Sequence, residues 1–346
     1  MKVRIGIVGC GMIARFHARA MADVRGAELA GCASRSINSS ETFAAEFDCR
    51  VFPRWQDLVA DPTIDAISVC TPSGAHLEPA IAAARSGKHV LVEKPLEVTT
   101  ARCDRIIAAC RRHGVQLAAI FPSRFQACWQ PIRRALQAGR FGRLALISGY
   151  VKWYRTQAYY DSGQWRGTWK LDGGGALMNQ SIHTVDLLLW LGGPVSSVVA
   201  HQATLAHTGI EVEDTLTASW QFANGALGTI EATTAAYPGQ PRCIEISGDR
   251  GSVVVEDETI RVWQFADQTA KDRKVLEKFG GSPKSAGAGD PKSISHAYHA
   301  QQISDFVAAI KHQRTPQIDG AEGRKSVKLI ESIYRAARSG KRVQVR

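Results

Sequence analysis

The spacing of apolar residues changes rhythm about one third of the way along the chain. Before that point, short β-branched runs alternate with stretches whose apolar side chains recur every three or four positions. Val3-Arg4-Ile5-Gly6-Ile7-Val8 reads as a strand ending in glycines, and residues 12–24 read as the helix that follows. Further strands are expected at 28–33, 51–52, 66–70, 89–93 and 116–120, with helical segments at 40–47, 55–59, 76–86 and 101–113 between them. Strands buried on both faces and separated by helices predict a parallel, doubly wound sheet.

Beyond Phe121 the texture shifts to a helix at 129–138 and then to longer β segments at 144–154, 195–204, 214–222, 226–234, 242–248, 251–256 and 259–264. Asn224-Gly225 and Asp249-Arg250-Gly251 supply short turns of the kind antiparallel hairpins use. A Gly/Ser/Pro/Lys-rich stretch at 280–293 reads as a surface loop, before helices at 294–313 and 320–339. The expected architecture is an α/β Rossmann domain at residues 1–121, followed by an α+β domain at 122–346 with an open, mainly antiparallel sheet. A length of 346 residues suits two domains.

Composition narrows the function classes. With 45% apolar and 22% charged residues the chain is ordinarily globular. Its net charge of +11 comes from scattered Lys and Arg rather than a basic stripe, which favours an anionic small molecule over nucleic acid. Eight cysteines without a Cys-x-x-Cys pair or a Cys/His cluster read as reduced thiols, and no metal site is expected. Gly6, Gly9, Gly11 and Arg15 interrupt any signal-peptide core, and no apolar run approaches the roughly 18 residues of a membrane span. The cytoplasm is the expected compartment.

Gly9-Cys10-Gly11-Met12-Ile13-Ala14 is a G-x-G-x-x-A pattern between the first strand and the first helix. There the glycines permit a tight turn, and the amides of Gly9, Gly11, Met12 and Ile13 approach a pyrophosphate seated on the positive end of the helix. About twenty residues on, where an acidic residue would read a free ribose 2′-hydroxyl, the chain has Ser34 and Arg35. An arginine flanked by hydroxyls suits a 2′-phosphate, so NADP is expected in preference to NAD, the alternative being that Arg35 stacks on adenine.

Four stretches then resemble the glucose-fructose oxidoreductase/inositol dehydrogenase/rhizopine catabolism (Gfo/Idh/MocA) family: Gly9 to Ala14, Cys70-Thr71-Pro72 with His76, Gly87 through Glu93-Lys94-Pro95, and Gly173-Gly174-Gly175 through His183 and Asp186. A fifth, from Asp305 through Gly320, Gly323 and Tyr334, is similar to the family's C-terminal helices. The resemblance implies a nucleotide-binding domain followed by an open-sheet domain whose exposed face mediates oligomers. It also implies that Thr71, Pro72, His76, Glu93 and Lys94 line the cofactor, and that Lys94 lies in the active site. At the carboxyl edge of a parallel sheet, the Lys94 ammonium would orient a substrate hydroxyl.

On the substrate side, Asn179, His183 and Asp186 share a helix face if the helix is regular. A helix histidine by itself reads as a packed or exposed residue, but the resemblance implies His183 as general acid/base, with Asn179 a hydroxyl ligand and Asp186 the partner of His183 or a packing residue. Asn179 departs from the family's commoner aspartate and Ser181 from a frequent glycine, which is similar to members acting on sugar nucleotides. Tyr154, Arg155, Tyr159, Tyr160, Trp165, Arg166 and Trp169 cluster just upstream. Aromatic faces suit sugar rings as well as loop packing. Trp165 and Arg166 match a Trp-Arg pair of the family and are the expected substrate contacts.

The expected function is hydride transfer between nicotinamide and a secondary alcohol or ketone carbon of a sugar, sugar nucleotide or polyol, with Lys94 and His183 in proton transfer. The alternative is a non-catalytic, dinucleotide-sensing regulator of the same fold. A homodimer or homotetramer is expected, because one face of the second sheet has no obvious covering helix and an exposed apolar face is normally buried by a partner.

Overall fold

The structure, a computed structural model, describes residues 2–282 and 295–345. Most of the loop expected at 280–293 lies outside them. The contacts divide the chain into two units, the first comprising Met1–Pro122, Lys170–Gly173 and Ser295–Val327.

In the first unit β1 (Val3–Val8), α1 (Met12–Ala22), β2 (Ala27–Ala33), α2 (Ile37–Phe47), β3 (Arg50–Val51), α3 (Trp55–Ala60), β4 (Ala66–Val69), α4 (Leu77–Arg85), β5 (His89–Val92), α5 (Thr100–Arg112) and β6 (Leu117–Ala119) alternate as the pattern predicts. All six strands are parallel, in the order β3-β2-β1-β4-β5-β6. The order reverses between β1 and β4, and the crevice at the carboxyl ends of such a pair is where ligands bind in open α/β sheets. The buried Ile5, Ile7 and Leu91 of the sheet belong to one cluster with Ala14, Ala18 and Met21 of α1 and with Ile303, Phe306 and Val307 of α10 (Ala297–Lys311). Each large apolar side chain so buried contributes about 1.5–3 kcal/mol. Gln302 ties α10 to the sheet edge, accepting from the Phe121 amide at 3.0 Å and donating to the Ala119 carbonyl at 2.7 Å.

The second unit comprises Ser123–Trp169, Gly174–Ile294 and Lys328–Arg346. After α6 (Trp129–Gln137) come β7 (Leu144–Lys152), α7 (Gln157–Asp161), a π-turn (Ala176–Gln180) and α8 (Ile182–Gly192). β8 (Val195–Ala203), β9 (Thr215–Phe222), β10 (Leu227–Thr233), β11 (Cys243–Gly248), β12 (Gly251–Glu256), β13 (Thr259–Phe265) and α9 (Ala270–Phe279) follow. α11 (Gly320–Ser339) and β14 (Val343–Gln344) end the chain. The eight strands run β13-β12-β11-β7-β10-β9-β8-β14, antiparallel except for the parallel pair β7/β10. One face packs under α8, where a Cβ on Gly149 would stand 2.8 Å from Thr184 and 2.9 Å from Leu188.

The outward face differs from the apolar surface expected. Leu146 and Leu227 stand side by side on it with Val199, but they share it with Thr217, Ser219 and Gln221 and with the Lys152–Glu231 ion pair. All eight cysteines are free thiols. Among the described residues no helix is long and apolar enough to cross a membrane.

Candidate active site

The chain leaves β1 through Gly9, whose φ is +96° and whose Cβ, if it had one, would stand 2.7 Å from the Cys70 carbonyl oxygen. The Gly9 amide donates to Ala33 and that of Cys70 to Val8, both at 2.8 Å, so the ends of β1, β2 and β4 are drawn together. α1 starts with Gly11 at its N-cap, without a side-chain cap or an acidic residue in the first turn, and the direction of a Gly11 Cβ is open. Helix-start amides that no side chain screens, on the positive end of the dipole, fit a diphosphate. At the end of β2, Ser34 Oγ donates to the Ser36 carbonyl at 2.7 Å and accepts from Ser40 Oγ at 3.1 Å, while Arg35 is exposed. These residues accommodate a dinucleotide.

Thr71 Oγ donates to the Ala75 carbonyl at 3.1 Å, closing the turn after β4. His76 is buried with its ring nitrogens 3.0 Å from the carbonyls of Pro95 and Thr71, so it binds that turn to the Glu93-Lys94-Pro95 turn, and burial lowers its pKa. Glu93 is also buried and serves the protein itself. One oxygen accepts from the Lys94 amide at 2.9 Å, and the other meets His17 Nε2 at 2.8 Å. His17 Nδ1 in turn lies 2.8 Å from Ser68 Oγ, and His299 Nε2 lies 3.9 Å from Glu93. Burial would raise the Glu93 pKa, but His17 outweighs it and brings it to about 2. Burial opposes the charge on His17 as well, yet Cys70 and Glu93 raise its pKa to about 10. Beneath the half-buried Lys94 lies a fixed ion pair.

In the second unit, the single regular helix expected for Asn179, His183 and Asp186 is interrupted. Ser181 donates its amide to Ala176, five residues back, at 3.0 Å and its hydroxyl to the same carbonyl at 2.7 Å. The wider π-turn takes Asn179 out of the register of α8, leaving His183 and Asp186 at α-helical spacing. Arg124 holds Asp186 with two hydrogen bonds of 2.7 Å, and the carboxylate is fully buried.

The upstream aromatics divide. Tyr160 is core, hydrogen-bonded to Thr234 at 2.8 Å. Arg166 stacks between the rings of Tyr159 and Trp165, at 4.4 and 4.5 Å from their centroids, and donates to Tyr159 Oη at 3.0 Å. Gln180 Nε2 donates to the same oxygen at 2.9 Å and to Asn179 Oδ1 at 2.7 Å. The result is a half-buried array of Arg166 and neutral hydrogen-bonding groups, with the buried Arg155 guanidinium 5.7 Å from the Tyr159 ring centroid. Gln180 gave no signal in the sequence, because a polar residue beside Asn179 reads as solvated helix surface.

Glu213 was also missed. It is 2% exposed, and its carboxylate accepts from the amides of Gly175 at 3.0 Å and Leu177 at 2.8 Å and from Tyr334 Oη at 2.9 Å. Burial pushes its pKa up to about 7 against those three donors. No local pattern marks a glutamate whose donors lie 36 to 121 residues away.

Residues 3–121 match the description "Oxidoreductase family, NAD-binding Rossmann fold", and residues 129–254 match "GFO/IDH/MocA C-terminal domain". Among solved structures, the WlbA dehydrogenase from Bordetella pertussis in complex with NADH and UDP-GlcNAcA is 37% identical, covering 99% of this chain and 97% of that one with a TM-score of 0.90. The corresponding WlbA complex from Chromobacterium violaceum is 35% identical, covering 99% and 96% with a TM-score of 0.89. Inositol 2-dehydrogenase of Rhizobium meliloti is 26% identical over 351 residues, spanning 100% of both chains.

Proposed function

Since this chain belongs to the GFO/IDH/MocA oxidoreductase family and is a nicotinamide-dependent dehydrogenase acting on CH–OH groups, we propose that its substrate is a sugar nucleotide carrying a carboxylate, of the UDP-GlcNAcA class. The observation that carries this reading is the array around Arg166. The guanidinium is fixed by Tyr159 Oη and by Ser162 Oγ, to which Nε donates at 3.2 Å, and its remaining N–H groups are those that would meet a carboxylate or phosphate. Linked to it through Tyr159 Oη and Gln180 is Asn179, an amide that can hydrogen-bond a sugar hydroxyl without repelling an anionic substrate. Both WlbA relatives were solved with UDP-GlcNAcA. Catalysis by a dehydrogenase displaces the regulatory alternative.

A nicotinamide cofactor held at the turn of residues 9–13 would supply the hydride acceptor for the carbinol carbon, and the hydride donor in the reverse direction. The chain supplies orientation and proton exchange. His183 takes the hydroxyl proton as the C–H bond breaks, Lys94 orients the hydroxyl and favours the developing alkoxide, and Asn179 fixes the ring by a hydrogen bond. Trp165 offers an apolar face to the sugar.

Ser34 and Arg35 leave no carboxylate to repel a 2′-phosphate, which supports the expected preference for NADP(H). The WlbA relatives carry NADH, so the two cofactors need direct comparison. Incubating the protein with UDP-GlcNAcA, inositols and free aldoses, each with NAD⁺ and NADP⁺, and following absorbance of the reduced nicotinamide tests the whole reading. Turnover confined to uncharged polyols would overturn the substrate class. The homodimer or homotetramer rests only on the exposed Leu146, Val199 and Leu227 of an otherwise polar outward face, and a monomer in light scattering would overturn it.

A further inference from the structure

We propose that Glu213, together with Tyr334, is the positioning residue of the substrate-side segment: the pair satisfies the successive amides of residues 175–178 and thereby sets where Asn179 and His183 stand. The inference deepens the reading above and rests on Asn179 and His183 being the groups that meet the substrate.

A helix start leaves several amides without intrahelical acceptors. Here Glu213 alone answers three of them, with its carboxylate on Gly175 and Leu177 and its own carbonyl on Ala176 at 3.0 Å. Met178 donates to Tyr334 Oη at 3.3 Å, and that hydroxyl donates to Glu213 at 2.9 Å. Only from Asn179 onward does the segment bond within itself, to the Gly175 carbonyl at 3.0 Å.

The glycines before the π-turn exist for this clamp. A Cβ on Gly175 would fall 1.8 Å from the Glu213 carbonyl oxygen, and one on Gly174, whose φ is +151°, would fall 2.1 Å from Tyr334 Oη. Tyr334 is itself held by Trp169, packed edge-on at a centroid distance of 5.1 Å. The clamp thus fixes the segment one residue before Asn179 and five before His183. Hydride and proton transfer demand positions held to a fraction of an ångström, and a displacement of about 1 Å costs on the order of 10²-fold in rate.

The test uses the full chain with Glu213→Gln and Tyr334→Phe. Glutamine keeps the shape and one acceptor oxygen, but turns an NH₂ group toward an amide that needs an acceptor. We expect kcat to fall about 10- to 100-fold in Glu213→Gln, with KM for the nicotinamide cofactor and calorimetric affinity for NADH unchanged. Hydrogen exchange should accelerate at amides 175–178 and stay as in the wild type through the sheet. Tyr334→Phe, which retains the carboxylate, should show the same pattern to a smaller degree and carries the test should Glu213→Gln not fold. Wild-type kcat in the folded variants, unchanged exchange at 175–178, or loss of NADH affinity in step with kcat would each overturn the proposal. A wrong substrate class shows itself separately, as absence of turnover in the wild type on UDP-GlcNAcA; the variants are then assayed on whichever alcohol of the screen the wild type oxidises.

Discussion

Arg124 and Asp186 form a buried two-pronged ion pair, both bonds 2.7 Å, across 62 residues of sequence. The carboxylate that sequence spacing offered as a partner of His183 or as a packing residue accepts both bonds, and this pair anchors α8 in the second unit. Removing one member of a buried pair strands the other and costs about 3–5 kcal/mol, whereas replacing both by apolar groups costs far less. Asp186→Ala is expected to lower the unfolding midpoint sharply in a thermal melt, and Arg124→Leu/Asp186→Leu to recover most of the loss. A large fall in activity with an unchanged melt would instead mark Asp186 as acting in catalysis.

The His17–Glu93 pair gives stability a definite pH profile. Glu93 titrates at about 2 in the fold against an ordinary 4.5, so its contribution is complete above 4.5 and disappears as pH falls through about 2. His17 titrates at about 10 against an ordinary 6.5, so its contribution is complete below 6.5 and disappears as pH rises through about 10. The melting-temperature gap between the wild type and His17→Gln/Glu93→Gln should be widest between pH 4.5 and 6.5 and narrow on both sides. A gap independent of pH would mean that the pair is not charged in the fold.

Local chemistry made the first unit legible. Apolar strand runs, helical spacing and the Gly9/Gly11 turn are all written within a few neighbouring residues. Likewise, β9 buries Leu216, Ala218, Trp220 and Phe222 in strict alternation, so its face could be assigned from sequence. What could not be read depends on partners far along the chain. The amides of Gly175, Leu177 and Met178 at the π-turn find their side-chain acceptors in Glu213 and Tyr334, and the parallel pairing of β7 with β10 joins strands that no short turn connects. α9 was within reach, since Thr269 and Asp272 form a capping box recognisable from their spacing. Of the candidate site, Lys94, Asn179 and His183 came from the motif match, while Gln180 and Glu213 required coordinates.

The two fingerprint glycines should fail in different ways. Gly9→Ala must place a Cβ against the Cys70 backbone at positive φ, and is expected to cost about 1–3 kcal/mol of stability. Gly11 has φ −80° and open space beyond it, so Gly11→Val should fold and melt like the wild type without cofactor. Its isopropyl group would occupy the space over the α1 amides, and calorimetry should show NADH bound at least about tenfold more weakly. Wild-type affinity in Gly11→Val would show that the pyrophosphate does not lie over this turn.

His183 carries the sharpest prediction about chemistry. Asn179 has an amide that cannot accept a proton at neutral pH, while an imidazole has an intrinsic pKa suited to doing so. On the function proposed above, the proton released on oxidation of the alcohol passes to His183, with Lys94 as the other candidate acceptor. His183→Ala removes a half-buried side chain at the first turn of α8, and the fingerprint amides belong to the other unit of the chain, so NADH affinity should be preserved. Loss of a positioned general base lowers turnover by about 10²- to 10⁴-fold. A packing role would instead lower the melting temperature and leave kcat per folded molecule near that of the wild type. Measuring kcat, NADH affinity and melting temperature on one preparation separates the two. Near-normal turnover in His183→Ala would pass the proton to Lys94, with Lys94→Ala then showing the loss expected here for the histidine.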